Sequence, residues 1–292
     1  MTHSRANILL VFVTCIWGFA FVAQRSGAEF MSPLSFNAAR FLLGGALVAA
    51  IAVWRRPSQR SGLGLTRDGC ALGGALAIAA MLQQHGVPLT TTANVSFLTI
   101  MNVIFVPALA LFIGHTPRVF ELMGACMAVV GAYFMSVSQD FSVHPGDWWV
   151  LGSALFWALH IVIMSLVSQR HDSLRLAAEQ FLVCGMLSAL GAVIAEPISS
   201  QNISAALPAI LFAGCVSVAI AYTLQVVVQR HVTPSHAVII LSLEGVFGAF
   251  AGWLLCQESM SSRAIFGASI LTAGVVVAQL RVAGSRLITP SD

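Results

Sequence analysis

Lysine is absent from this chain: all fourteen basic residues are arginines, and only eleven residues are acidic. The missing lysine reads as a bias of genome composition, but the wider shortage leaves just 9% of the residues charged. So little charge cannot cover a soluble fold of 292 residues. With 58% apolar residues and a mean hydropathy of +0.89, the comfortable class is a polytopic membrane protein. A net charge of +3 gives no argument for nucleic acid as a partner. No GxxxxGK[ST] run is present, so nothing in the chain points to direct drive by ATP. Neither HExxH nor GxSxG occurs, and the histidines are scattered, so an intramembrane enzyme lacks its usual residues. Cys15, Cys70, Cys126, Cys184, Cys215 and Cys256 stand singly in apolar segments, without a CxxC spacing or a nearby histidine pair. They read as small buried residues, not as disulfides or metal ligands, and no cofactor is implied.

What the chain does have is ten long apolar stretches, over 6–24, 33–53, 69–86, 90–113, 119–137, 147–168, 175–195, 206–228, 234–256 and 264–282. About twenty apolar residues in a helix cross the ~30 Å hydrocarbon core of a bilayer. The first stretch, behind Arg5, has the look of a signal peptide, but nine similar ones follow it and a spanning helix is expected. Ten crossings gather Arg5, Arg55, Arg56, Arg60, Arg67, Arg118, Arg170, Arg175, Arg230, Arg281 and Arg286 on one side. The other side keeps Arg25 and Arg263, with Glu29, Asp140, Asp147, Glu196 and Glu258. Arginine in short loops marks the cytoplasmic side, which predicts cytoplasmic termini in a plasma (bacterial inner) membrane.

The last five stretches echo the first five at an offset near 142 residues. Trp17 matches Trp157, Leu82-Gln83 matches Leu224-Gln225, and the segment from Asn94 matches that from His236, which sets Asn102 on Glu244 and Phe105 on Phe247. Gly124-Ala125 and Gly131 match Gly267-Ala268 and Gly274. The chain is expected to divide into halves 1–143 and 144–292 within one membrane domain. Five crossings per half would turn the second half upside down, the arrangement by which many carriers build two alternating faces around one site.

The string LSLEGVFGAFAGWLLCQE from Leu241, then FGASILTAGVVVA from Phe266, resembles the signature of the EamA-type drug/metabolite transporter superfamily. VIFVPALALFIGHTP from Val103, then MGACMAVVGAYFM, is similar to its first-half form, with His115 where the family usually has Glu and Gly245 where many members have Pro. The resemblance implies an all-α membrane fold of two inverted five-helix bundles. Four helices of each bundle would surround a central cavity, with the fifth as a buttress. It also implies transport of small metabolites, commonly export of amino acids or related compounds.

Ionisable groups at membrane depth are costly and mark candidate functional positions. Glu244 and Asn102 lie mid-span at repeat-related positions, so both are expected at one central site. Glu244 suits a substrate ammonium or a transported proton; the alternative is a protonated or hydrogen-bonded packing residue. Arg40 and Glu179 sit in the similar strings AARFL and AAEQFL, but their expected depths differ by more than ~10 Å at ~1.5 Å per residue. Each is therefore expected near its own interface, snorkelling or capping, with Arg40 also able to attract an anionic substrate. Gln83 and Gln225 read equally as substrate contacts or as interhelical glue. His160, three residues beyond Trp157, shares its face; a lining or proton-relay role stands against a satisfied interhelical histidine. Trp17, Trp157 and Tyr222 lie inside their spans, as cavity walls or as aromatic core. Glu121 falls in a first helical turn, where it complements the helix N-terminus. The small-residue spacings, such as Gly248-xxx-Gly252, read as close helix contacts.

Together these features predict a secondary carrier in a lipid bilayer, moving a small molecule by alternating access. An intramembrane enzyme or a channel is the alternative. One central carboxylate among neutral lining residues suits amino acids or amphipathic metabolites better than organic phosphates, which would want several cavity arginines.

Overall fold

Prolines and small polar caps cut the chain into helical rods. The computed structural model describes residues 1–55, 65–90, 92–136, 144–196, 200–257 and 260–280, and no strand occurs among them. In order, α1 is His3–Phe30, α2 Pro33–Arg55, α3 Arg67–Gly86, α5 Val119–Ser136, α6 Pro145–Val167, α7 Ser173–Ala195 and α10 Ser262–Ala278. Between α3 and α5, α4 runs as two pieces, Thr92–Ile100 and Asn102–Leu111. Rod α8 joins Ser200–Leu211, a π-helical stretch Phe212–Tyr222 and Thr223–Gln229, while α9 joins Pro234–Leu241 and Glu244–Cys256. Eight rods are long and apolar enough to cross a membrane; α5 and α10 are shorter apolar helices. The expected first span stops short, because the chain meets no proline between Ala23 and Pro33 and α1 runs on to Phe30. Arg25 and Glu29 are thus exposed helical residues and not loop charges. Arg56, Arg60, Arg281, Arg286, Asp140 and Glu258, counted in the side-to-side charge bias, lie outside the described residues.

The starts obey capping chemistry. Thr66, Asp172, Thr233 and Ser261 each accept a backbone N–H from the first turn of α3, α7, α9 and α10, and Pro33, Pro145 and Pro234 open α2, α6 and α9. Glu121 accepts the Arg118 N–H at 2.9 Å and the Thr233 hydroxyl at 3.2 Å, at the N-terminus of α5 as expected.

Hydrogen bonds sort the helix ends to two faces. At one face Asn7 reaches Gln279 and His236, Thr66 reaches Glu179, and Asp68 pairs with His171 at 2.7 Å. At the other, Glu196 accepts from the Leu34 and Ser35 backbone, and Asp147 from Thr90 and Asn94. Rod α1 starts at the first face and α6 at the second. Packing partners recur when the halves are exchanged: α3 meets α6 as α8 meets α1, α4 meets α6 as α9 meets α1, and α3 meets α7 as α8 meets α2. The pairs α2–α7, α4–α9 and α5–α10 map onto themselves.

The α5–α10 seam is made by glycine. A Cβ on Gly131 would come within 2.6 Å of the Gly267 carbonyl oxygen, and one on Gly124 within 2.6 Å of that of Gly274. Backbones this close leave no room for side chains, and the seven-residue spacing of both glycine pairs serves that contact.

Candidate substrate site

Two helix interruptions position the central polar pair. In α4 the ladder tightens at Met101, whose N–H bonds the Leu98 carbonyl, and Asn102 begins the second piece. In α9 it tightens at Ser242-Leu243, where Leu243 N–H bonds Ile240, and Glu244 begins the second piece. Repeat-related residues therefore open repeat-related half-helices. A carboxylate in the first turn of such a half-helix complements its dipole.

Around this pair lies a cavity with an empty volume of about 580 Å³ including its mouth. All nine residues singled out above, Glu244, Asn102, Trp17, Trp157, His160, Gln83, Gln225, Tyr222 and Arg40, line it. So do Phe21, Gln24, Thr99, Ile161, Ser217 and Leu241, which were not anticipated. A signal for some of these existed: Phe21 and Ile161, and Thr99 and Leu241, stand at the repeat offset. Five repeat-related pairs thus form the wall. Ser217 and Tyr222, five residues apart, face it together from the π-helical stretch, whose widened turns pair i with i+5.

Arg40 corrects an expectation. It does not snorkel to an interface; it is 3% exposed and faces the cavity. Its Nε donates to Asn37 Oδ1 at 2.9 Å, Asn37 is anchored on the Ala80 carbonyl, and the guanidinium lies 4.7 Å from the Phe41 ring centroid. Rotation about the α2 axis, and not depth alone, decides its fate: the helix turns this side chain toward α8, where Gly214 permits contact with the Arg40 backbone. Glu179 is not its partner. That carboxylate accepts from the Thr66 backbone and hydroxyl and from Arg175 Nε at 2.7 Å, capping α3. Among the described residues neither Arg40 nor Glu244 forms an ion pair.

The aromatic residues form one wall. Tyr222 sits 4.5 Å from Trp17 and stacks at 6.1 Å on Trp157, centroid to centroid. Trp157 Nε1 donates to Gln83 Oε1 at 2.5 Å, and His160 Nε2 bonds Gln180 Oε1 at 2.7 Å. Several polar atoms on the wall have no protein partner: Trp17 Nε1, Asn102 Oδ1 and Gln225 Oε1 are buried and unbonded. Buried polar groups are normally satisfied, so such a cluster is expected where a solute takes their place.

Against known proteins, the sequence matches the EamA-like transporter family twice, over residues 4–137 and 144–279. An uncharacterised transporter of Archaeoglobus fulgidus is 28% identical over 281 residues, covering 95% of this chain and 86% of that protein. The uncharacterised transporter YoaV of Bacillus subtilis is 23% identical, covering 91% and 94%. A crystal structure with 19% identity superposes with a TM-score of 0.82 over 99% of this chain and 100% of its own, a likeness of fold alone.

Proposed function

The chain belongs to the EamA-like transporter family, and from that premise we propose that it is a secondary carrier of small zwitterions, amino acids or close relatives, working as an exporter by alternating access. All ten rods cross the bilayer in this reading, as two inverted five-helix halves divided near residue 143. The double family match and the packing that survives exchange of the halves support it. The termini lie in the cytoplasm of a bacterial inner membrane, by the arginine bias.

One observation carries the substrate class: a guanidinium and a carboxyl group, each without an ion-pair partner, line the same cavity. Leaving either charge buried and unpaired costs several kcal/mol, so both are expected to meet a partner that arrives with the substrate. Arg40 takes the substrate carboxylate and Glu244 the ammonium. Trp17, Trp157 and Tyr222 take an apolar or aromatic side chain, while Asn102, Gln83, Gln225 and His160 orient it. When the cavity is empty, Glu244 carries a proton in place of the ammonium, which couples transport to the proton gradient.

Counterflow in proteoliposomes with a panel of labelled amino acids tests this. Wild-type protein is expected to show saturable exchange, and Glu244→Gln and Arg40→Met to abolish it. Exchange that survives both substitutions would remove the site assignment; a wild type inert to the panel would remove the amino-acid reading.

A further inference from the structure

The duplication gives the cavity the same tryptophan–glutamine couple twice. In each couple the tryptophan belongs to one half and the glutamine to the other: Trp157 of α6 with Gln83 of α3, and Trp17 of α1 with Gln225 of α8. Their states differ. Trp157 donates to Gln83 at 2.5 Å, whereas Trp17 Nε1 and Gln225 Oε1, a complementary donor and acceptor, are both buried without a partner. Tyr222 breaks the symmetry between them, since the repeat-related position 80 holds alanine, and it sits closer to Trp17 than to Trp157. The open donor and acceptor carry a desolvation cost that an arrangement pairing them with each other would relieve.

Resting on the carrier reading above, we propose that the two couples are alternating latches. Gln83–Trp157 is closed in the conformation described here, and Trp17–Gln225 closes in the oppositely facing one, each opening as the other forms. The physical ground is that an inverted duplication reaches its second state by exchanging the roles of its halves. A contact made by one couple and not by its repeat-related counterpart is therefore the kind that exchanges, while contacts made by both persist.

The consequence is a pair of opposite shifts. Gln83→Leu removes a bond from the present conformation and moves the population toward the other; Gln225→Leu does the reverse. Each changes the ratio of states by roughly two- to tenfold, the loss of one neutral hydrogen bond. Trp157→Phe follows Gln83→Leu and Trp17→Phe follows Gln225→Leu, so either set suffices if a glutamine variant fails to fold. The measurement is electron–electron distance between spin labels replacing Leu89 and Leu255, at the face away from the termini, in a cysteine-replaced protein in lipid. Opposite changes in the distance distribution support the latches; changes of the same sign, or none in folded variants, overturn them. Counterflow on the same preparations keeps the two readings apart. Wild-type exchange without latch-dependent shifts removes only the latches, whereas latch-dependent shifts in a wild type inert to the panel keep the latches and remove the amino-acid reading.

Discussion

Arg40 poses a problem to the folded chain, because a buried cation without an ion-pair partner weighs against folding even where it serves a task, whereas Glu244 escapes it in the empty cavity by carrying a proton. Replacing a buried charge that has no ion-pair partner with a neutral side chain of similar size removes its desolvation cost. Arg40→Met is therefore expected to raise stability by about 1 kcal/mol, the relieved desolvation less the lost Asn37 hydrogen bond, and Glu244→Gln to leave it nearly unchanged, while exchange is lost in both. Thermal unfolding in detergent read beside counterflow checks both halves of that statement. A large fall in melting temperature would mark the two residues as structural. The two differed in how far the sequence revealed them. Glu244 stood out because it is acidic, mid-span and matched to Asn102. Arg40 was legible as a cation within its span able to attract an anion, but it was expected at the interface and not in the cavity wall, since counting turns from a helix edge measures depth and says nothing of which neighbour the side chain faces. Gln24 and Ser217 carried no signal of their own, being ordinary polar residues whose placement depends on how α1 and α8 are rotated.

Helices are set by local chemistry at their ends and by neighbours along their length. The apolar stretches made most boundaries legible to within a few residues, and caps such as Thr66, Asp172 and Thr233, with prolines at first turns, are what fix them in the fold. The interruptions in α4 and α9 and the π-helical stretch of α8 were not legible, because they follow from packing between helices, which the local sequence does not announce. The α5–α10 seam gives a test at this scale. Gly131→Ala puts a methyl group within 2.6 Å of the Gly267 carbonyl oxygen and the Leu271 nitrogen, and is expected to cost about 1–3 kcal/mol. Gly74→Ala in α3 meets nothing within 4 Å and should gain up to about 1 kcal/mol from helix propensity. Unfolding midpoints of opposite sign for the two variants are the expected result; equal effects would mean the seam is not tightly packed in the membrane.

For the molecule as a whole, orientation in the bilayer rests on the arginine bias and is open to direct measurement. Trp54 and Trp148 are 80% and 70% exposed at opposite faces. In a cysteine-replaced protein, Trp148→Cys is expected to react with an impermeant thiol reagent from outside intact cells, and Trp54→Cys only in inverted vesicles. The reverse pattern would turn the molecule over and exchange the assignment of its two mouths. The near-palindromic wall of the cavity bears on what such a molecule can and cannot do. Two of the five matched pairs are identical, Trp17 with Trp157 and Gln83 with Gln225, so an entering solute meets those groups from either side and the protein is poorly built to act as a rectifier. Its half-saturation concentrations for inward and outward movement should lie close together, separated by what the dissimilar pairs and the unmatched Gln24, Arg40, His160, Ser217 and Tyr222 add. The sense of net flow is then a property of the substrate and proton gradients taken together and not of the cavity wall, and in the proposed reading export holds only while the proton gradient outweighs the opposing substrate gradient.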